Sequence, residues 1–138
     1  MLTIEDDNGR FLGLAFLICY EDRALLDYFA VCKSKRAGGA GTKALGLLME
    51  RYKEHRLVLE IETTKTSDDL QDICHRRKAF YMRNGLTILP FDVKLFGVEM
   101  EMLGNGCKMT FEEYQEIYRR EYGDFILPNI TLIREWKN

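Results

Sequence analysis

The chain has 138 residues, 46% of them hydrophobic and 30% charged, which suits one globular domain with a real core. Its formal net charge of −2 argues against nucleic acid as a partner, because phosphate backbones are met by basic surfaces. No apolar run approaches the roughly 20 residues that span a bilayer. The apolar stretch 11–20 follows acidic residues and precedes no small-residue cleavage site, so it does not read as a signal peptide. No membrane partner is expected, and a cytoplasmic location is.

Thr3, Ile4 and Glu5 read as a short strand, followed by the turn residues Asp6, Asp7, Asn8 and Gly9. A buried strand over 11–20, a turn at 21–23 and a third strand over 24–32 complete an antiparallel meander. The period then changes. Leu45, Leu48, Met49 and Tyr52 recur at helical spacing, with Lys53, His55 and Arg56 at the end where the dipole favours cations. A strand over 57–61 follows. Ser67 with Asp68 and Asp69 predicts the start of a helix carrying Leu70, Ile73, Cys74 and Phe80 and stopping at Asn84-Gly85.

Two more strands are expected over 87–94 and 97–103. Thr110 and Glu113 form a capping box for a last helix bearing Phe111, Tyr114 and Tyr118. The tail 125–136, with Phe125, Ile126, Leu127, Ile130, Leu132 and Trp136, is apolar enough to pack. The whole is one α+β domain over 1–138, with a sheet and two helices in 1–109 and a helix and tail in 110–138. Cys19, Cys32, Cys74 and Cys107 lack zinc-site spacing, and no metal site is expected. They read as core residues without disulfides.

The informative stretch runs from Phe29 to Lys43, where a strand passes through small residues into a helix. Gly38, Gly39, Gly41, Ala37 and Ala40 let a ligand approach the backbone. The amides opening a helix lack internal partners and favour an anion, so with Arg36, Thr42 and Lys43 this is a pyrophosphate cradle in physical terms. The order Gly41-Thr42-Lys43 is wrong for a P-loop, and a loop after an antiparallel meander does not fit a dinucleotide fingerprint.

Arg36, Gly39 and Gly41 occupy the three places of the R/Q-x-x-G-x-G/A motif, and residues 79–86, Ala-Phe-Tyr-Met-Arg-Asn-Gly-Leu, look like a helix ending A-x-x-F-Y-x-x-x-G-F. Both motifs, in register and separated by one helix and one strand, resemble the GNAT family of N-acetyltransferases. The resemblance implies a mixed, mostly antiparallel central sheet with flanking helices, and acetyl-coenzyme A as acyl donor. Ala30 and Val31 would pair with the pantetheine arm, and Arg36, Ala37, Gly38, Gly39, Ala40, Gly41 and Thr42 would hold the pyrophosphate beside Phe80. Strands ending near Cys32 and beginning near Leu57 would part to admit the thioester. Tyr81 would be the general acid. The basic run from His75 to Lys78 either faces solvent or reaches the coenzyme's 3′-phosphate.

An alkylamine of pKa ~10.4 is neutral in only about one molecule in 2,500 at pH 7, so a base helps. Glu60 and Glu62 on the strand after the first helix are the candidates, with Asp27 behind them and water as the remaining choice. Acidic residues at 60, 62, 99 and 101 would suit a cationic acceptor. The family usually opens with a strand and one or two helices that wall the acceptor pocket, which this chain lacks. Either it is a fragment, or the acceptor site is open, or a second subunit completes it as a homodimer. The expected function is transfer of acetyl to a small-molecule or protein primary amine. The alternative is a catalytically silent module of the same fold that binds acyl-coenzyme A or a protein partner.

Overall fold

The computed structural model describes residues 1–32 and 39–137. The alternating segments form the strands β1 (Leu2–Glu5), β2 (Phe11–Tyr20), β3 (Arg23–Val31), β4 (Arg56–Glu62), β5 (Thr87–Leu95) and β6 (Val98–Gly104), and the tail adds β7 (Ile130–Glu135). They make one seven-stranded sheet in the order β1-β2-β3-β4-β6-β5-β7. Only the β3–β4 pair is parallel; the other pairs are antiparallel. Among the described residues three α-helices flank the sheet: α1 (Ala40–Arg51), α2 (Ile73–Arg83) and α3 (Phe111–Tyr122).

Local chemistry sets the connections. The Asp6 carboxylate accepts the amides of Asn8 and Arg10 at 2.9 Å each and closes the β1–β2 turn. α3 carries the expected capping box, Thr110 with Glu113. Arg56 opens β4 instead of ending α1. Its guanidinium joins Asp22 at 2.9 Å and Glu113 at 2.7 Å, tying the start of β4 to the β2–β3 turn and α3.

Two cores lie on opposite faces of the sheet. Ala44, Leu45 and Leu48 of α1 pack with Leu57, Leu59 and Ile61 of β4 on one face. On the other, Phe111, Tyr114, Ile117 and Tyr118 of α3 pack with Val58, Phe91, Val93 and Met102. One residue step along β4 thus moves a side chain from one core to the other.

Three expectations need correction. The second helix starts at Ile73, after an N-cap at Asp72, six residues later than Ser67 suggested. Ser67 and Asp69 spend their side chains on amides two residues ahead, at 3.1 and 2.9 Å; such local turns compete with helix formation. Leu70 and Ile73, expected in an apolar stripe, are 71% and 53% exposed. The tail does pack, partly as a strand: 3-10 turns over 124–129 lead into β7, which pairs with β5. Cys19 is exposed and the other three cysteines are half-buried, so none is a fully enclosed core residue.

Candidate active site

β3 and β4 pair only from Arg23↔Arg56 to Leu25↔Val58. Beyond Leu25 the strands part, while β3 stays paired to β2 as far as Val31. The register of β3 against β2 slips beside Asp27, between Leu26 and Tyr28, and such a bulge bends a strand out of its ladder. The β3 edge over 28–31 therefore faces a slot with no strand beside it among the described residues. A cleft of about 530 Å³ opens there, lined by Tyr28, Phe29, Ala30 and Val31 of β3, Gly41 of α1, and Ile73, Arg76, Arg77, Phe80 and Tyr81 of α2.

The start of α1 closes one end of the cleft. Gly39 caps the helix with φ 76°, a left-handed conformation natural to glycine, and contributes no side-chain cap. The first helical bond runs from the Lys43 amide to the Gly39 carbonyl, so the amides of Ala40, Gly41 and Thr42 have no partner within the helix. A Cβ at Gly41 would lie 3.4 Å from two Phe80 ring atoms and 3.9 Å from Val31. The Phe80 ring thus lies directly against this glycine. Arg36, Ala37 and Gly38, the first half of the expected cradle, lie outside the described residues, as do Lys33 and Lys35.

Tyr81 borders the cleft from α2 and packs on the α1-side core. Burial raises its phenol above the ordinary value, with Arg77 pulling the other way, so it is a protonated donor at neutral pH. Its hydroxyl takes no hydrogen bond among the described residues, while its ring meets Phe80 edge-on at 5.4 Å.

The two glutamates expected together are separated. Glu60 turns to the α3 face, where its Oε2 accepts from Tyr118 at 2.7 Å and also from Tyr114. Burial raises its pKa, the two phenols lower it, and the nearby Asp27 charge raises it again. Glu62 is exposed and meets the Cys74 thiol at 3.8 Å, on the α2 side. Asp27 sits at the parting of the strands, its carboxyl raised by partial burial. Tyr81 and Glu60 thus approach the slot from opposite faces of the sheet.

Glu101 does not join an acidic acceptor surface. It is 2% exposed and held by Lys78 and by the amide and hydroxyl of Thr64, each at 2.6 Å. Glu99 pairs loosely with Arg134 at 4.0 Å. In the basic run, His75 is engaged with the Ser67 carbonyl at 2.7 Å, and Arg76 and Arg77 are the members that line the cleft. The tyrosine pair on Glu60 was not foreseen. Its signal was available: a carboxylate in the middle of an apolar strand needs donors, and tyrosines four apart on a helix share one face.

Neither a family model nor a curated protein matches the sequence. Solved structures do. A protein assigned as a GNAT-family acetyltransferase from Bacteroides thetaiotaomicron superposes with TM-score 0.69 at 22% identity, over 90% of this chain and 71% of that one. An IAA acetyltransferase from Bacillus cereus gives 0.53 at 18% identity, over 73% of each chain. A protein assigned as a streptothricin acetyltransferase from Bacillus anthracis, in complex with acetyl-coenzyme A, gives 0.50 at 17% identity, over 70% of this chain and 56% of that one. The expected sheet, its two motif helices and the parted strands are all present. This chain has the fold of the GNAT-family acetyltransferases.

Proposed function

We propose that the protein transfers an acetyl group from acetyl-coenzyme A to a primary amine by direct attack on the thioester. The observation that carries this reading is the parting of β3 and β4 after Leu25 and Val58, beside a cleft bounded by the start of α1. The acetyl-coenzyme A complex of the Bacillus anthracis protein supports the choice of donor.

The free β3 edge at Ala30 and Val31 would take the pantetheine amides as an added strand does. The amides of Ala40, Gly41 and Thr42, with Gly39 as cap, would meet the pyrophosphate at the positive helix end. Arg76 and Arg77 add cations on the opposite wall. Phe80, against Gly41, would fix the width between the two walls.

The amine enters on the α3 face. Its nitrogen bonds to the acetyl carbon, the carbon–sulfur bond breaks, and the pair of electrons leaves on sulfur. Glu60 takes the proton that nitrogen loses, and the Tyr81 phenol supplies the one that sulfur gains; both groups are restored from solvent. Positioned acids and bases of this kind contribute roughly 10²–10⁴-fold. Glu62, exposed and turned to α2, is left outside this scheme.

The test is thiol release from acetyl-coenzyme A, assayed with diamines and with peptides bearing free amino termini. Amine-dependent release is expected, with Tyr81→Phe slowing turnover roughly 10²-fold or more at unchanged donor affinity. Absence of amine-dependent release across the panel would overturn the enzymatic reading. Equal rates for parent and variant would remove Tyr81 from it.

A further inference from the structure

We propose that Tyr114 and Tyr118 of α3 are positioning residues that fix the Glu60 carboxylate by one oxygen and present the other to the slot between β3 and β4. The inference rests on the acetyl-transfer reading for its purpose, though its geometry stands alone. Both phenols donate to the same atom, Oε2. Oε1 takes no hydrogen bond among the described residues. Two donors on one oxygen fix the orientation of the carboxylate and leave the lone pairs of Oε1 free to take a proton.

The surroundings explain why two donors are needed. Glu60 lies two residues past Val58, the last β4 residue paired to β3, so β3 gives it no ladder partner. Across the ladder to β6 its partner is Met102, which carries no charge. The titratable groups that face it are Asp27 from β3, whose charge opposes ionisation, and the two tyrosines from α3. The phenols are well suited to donate. Burial and the Glu60 charge push both tyrosines above the ordinary value, so they stay protonated. Tyr114 and Tyr118 also meet edge-on at 5.6 Å, and Tyr118 stacks on Tyr122 at 6.2 Å, which locks their rings.

A cationic donor would hold Glu60 ionised but suppress its basicity; a phenol orients it at smaller cost in basicity. Hydrogen bonds to the ionised form lower a carboxyl pKa, so removing one should raise it.

Two readouts test this on the full chain. The first is carbon-13 NMR titration of the Glu60 carboxyl, assigned with Glu60→Gln. Tyr118→Phe should raise its midpoint by about one unit, and Tyr114→Phe should do likewise. The second is the pH profile of kcat/KM. Its acid limb should move up with the NMR midpoint in Tyr118→Phe, while acetyl-coenzyme A affinity by calorimetry stays as in the parent. An unmoved NMR midpoint in both folded variants would overturn the proposal. A moved midpoint with no amine-dependent turnover in the parent would uphold the positioning and refute the acetyl-transfer reading. A moved midpoint with an unmoved acid limb would show that the pair holds a carboxylate that is not the base, and would overturn the catalytic purpose.

Discussion

Glu60 and Glu101 are neighbours on adjacent strands, yet the sheet puts them in opposite chemical circumstances. In the β4–β6 ladder Ile61 stands against Glu101 and Glu60 against Met102, so the two carboxylates point to opposite faces. Burial alone would raise the Glu101 pKa, but Lys78 and the Thr64 amide and hydroxyl outweigh it and bring the value to about 2. Lys65 adds a contact at 3.5 Å and bridges to Asp92 at 3.1 Å, and Arg134 of β7 reaches Asp92 from the other side. This cluster ties α2, the 63–66 turn and the tail strand to the sheet. Among the described residues Glu60 has only phenols as donors, and its pKa is raised. A carboxylate surrounded by cations is a structural anchor and a poor base. One held by neutral donors keeps its basicity, and its ionised form costs the fold stability.

Glu60→Gln sharpens the contrast most. Turnover should fall roughly 10²–10⁴-fold, while stability in urea at pH 7 should hold or rise. The sign follows from the raised pKa: Glu60 contributes stability below its unfolded value of about 4.5 and loses it as pH rises through the folded value. A clear loss of stability in this variant would break the contrast.

Glu101→Gln should behave in the opposite way. Its depressed pKa contributes stability above about pH 4.5, lost as pH falls toward 2, and the shift corresponds to on the order of 3 kcal/mol at pH 7. Urea unfolding at pH 7 should show that deficit, with acid limbs of the two proteins converging near pH 2. Donor binding should change less than stability does, since Glu101 does not line the cleft.

Much of this arrangement was legible in the residues. The strands β1 to β6 were, because one-residue alternation and strong turn residues leave little choice of register. So were the end of β3 near Val31 and the start of α1 at Ala40, because the glycine at 39 takes a left-handed cap that few residues accept. The start of α2 was not. Ser67, Asp69 and Asp72 are all competent caps, and only the tertiary contacts of the turn decide that Asp72 caps the helix. Nor could the sequence tell Glu60 from Glu101. Both are glutamates in apolar strands, and what separates them is which face meets Lys78 from α2 and which meets Tyr114 and Tyr118 from α3. Those partners lie 23 or more residues away, beyond the reach of local pattern.

The central claim is that the parted strands and the start of α1 form a donor site. Calorimetric titration of acetyl-coenzyme A into the parent and Gly39→Asp tests it most directly. A Cβ at Gly39 meets nothing within 4 Å, and aspartate is tolerated better than most residues at positive φ, so the fold should persist while its charge opposes the pyrophosphate. Saturable one-site binding in the parent, weakened at least tenfold in the variant, is the predicted result. No binding to the parent, or equal binding to both, would contradict the account.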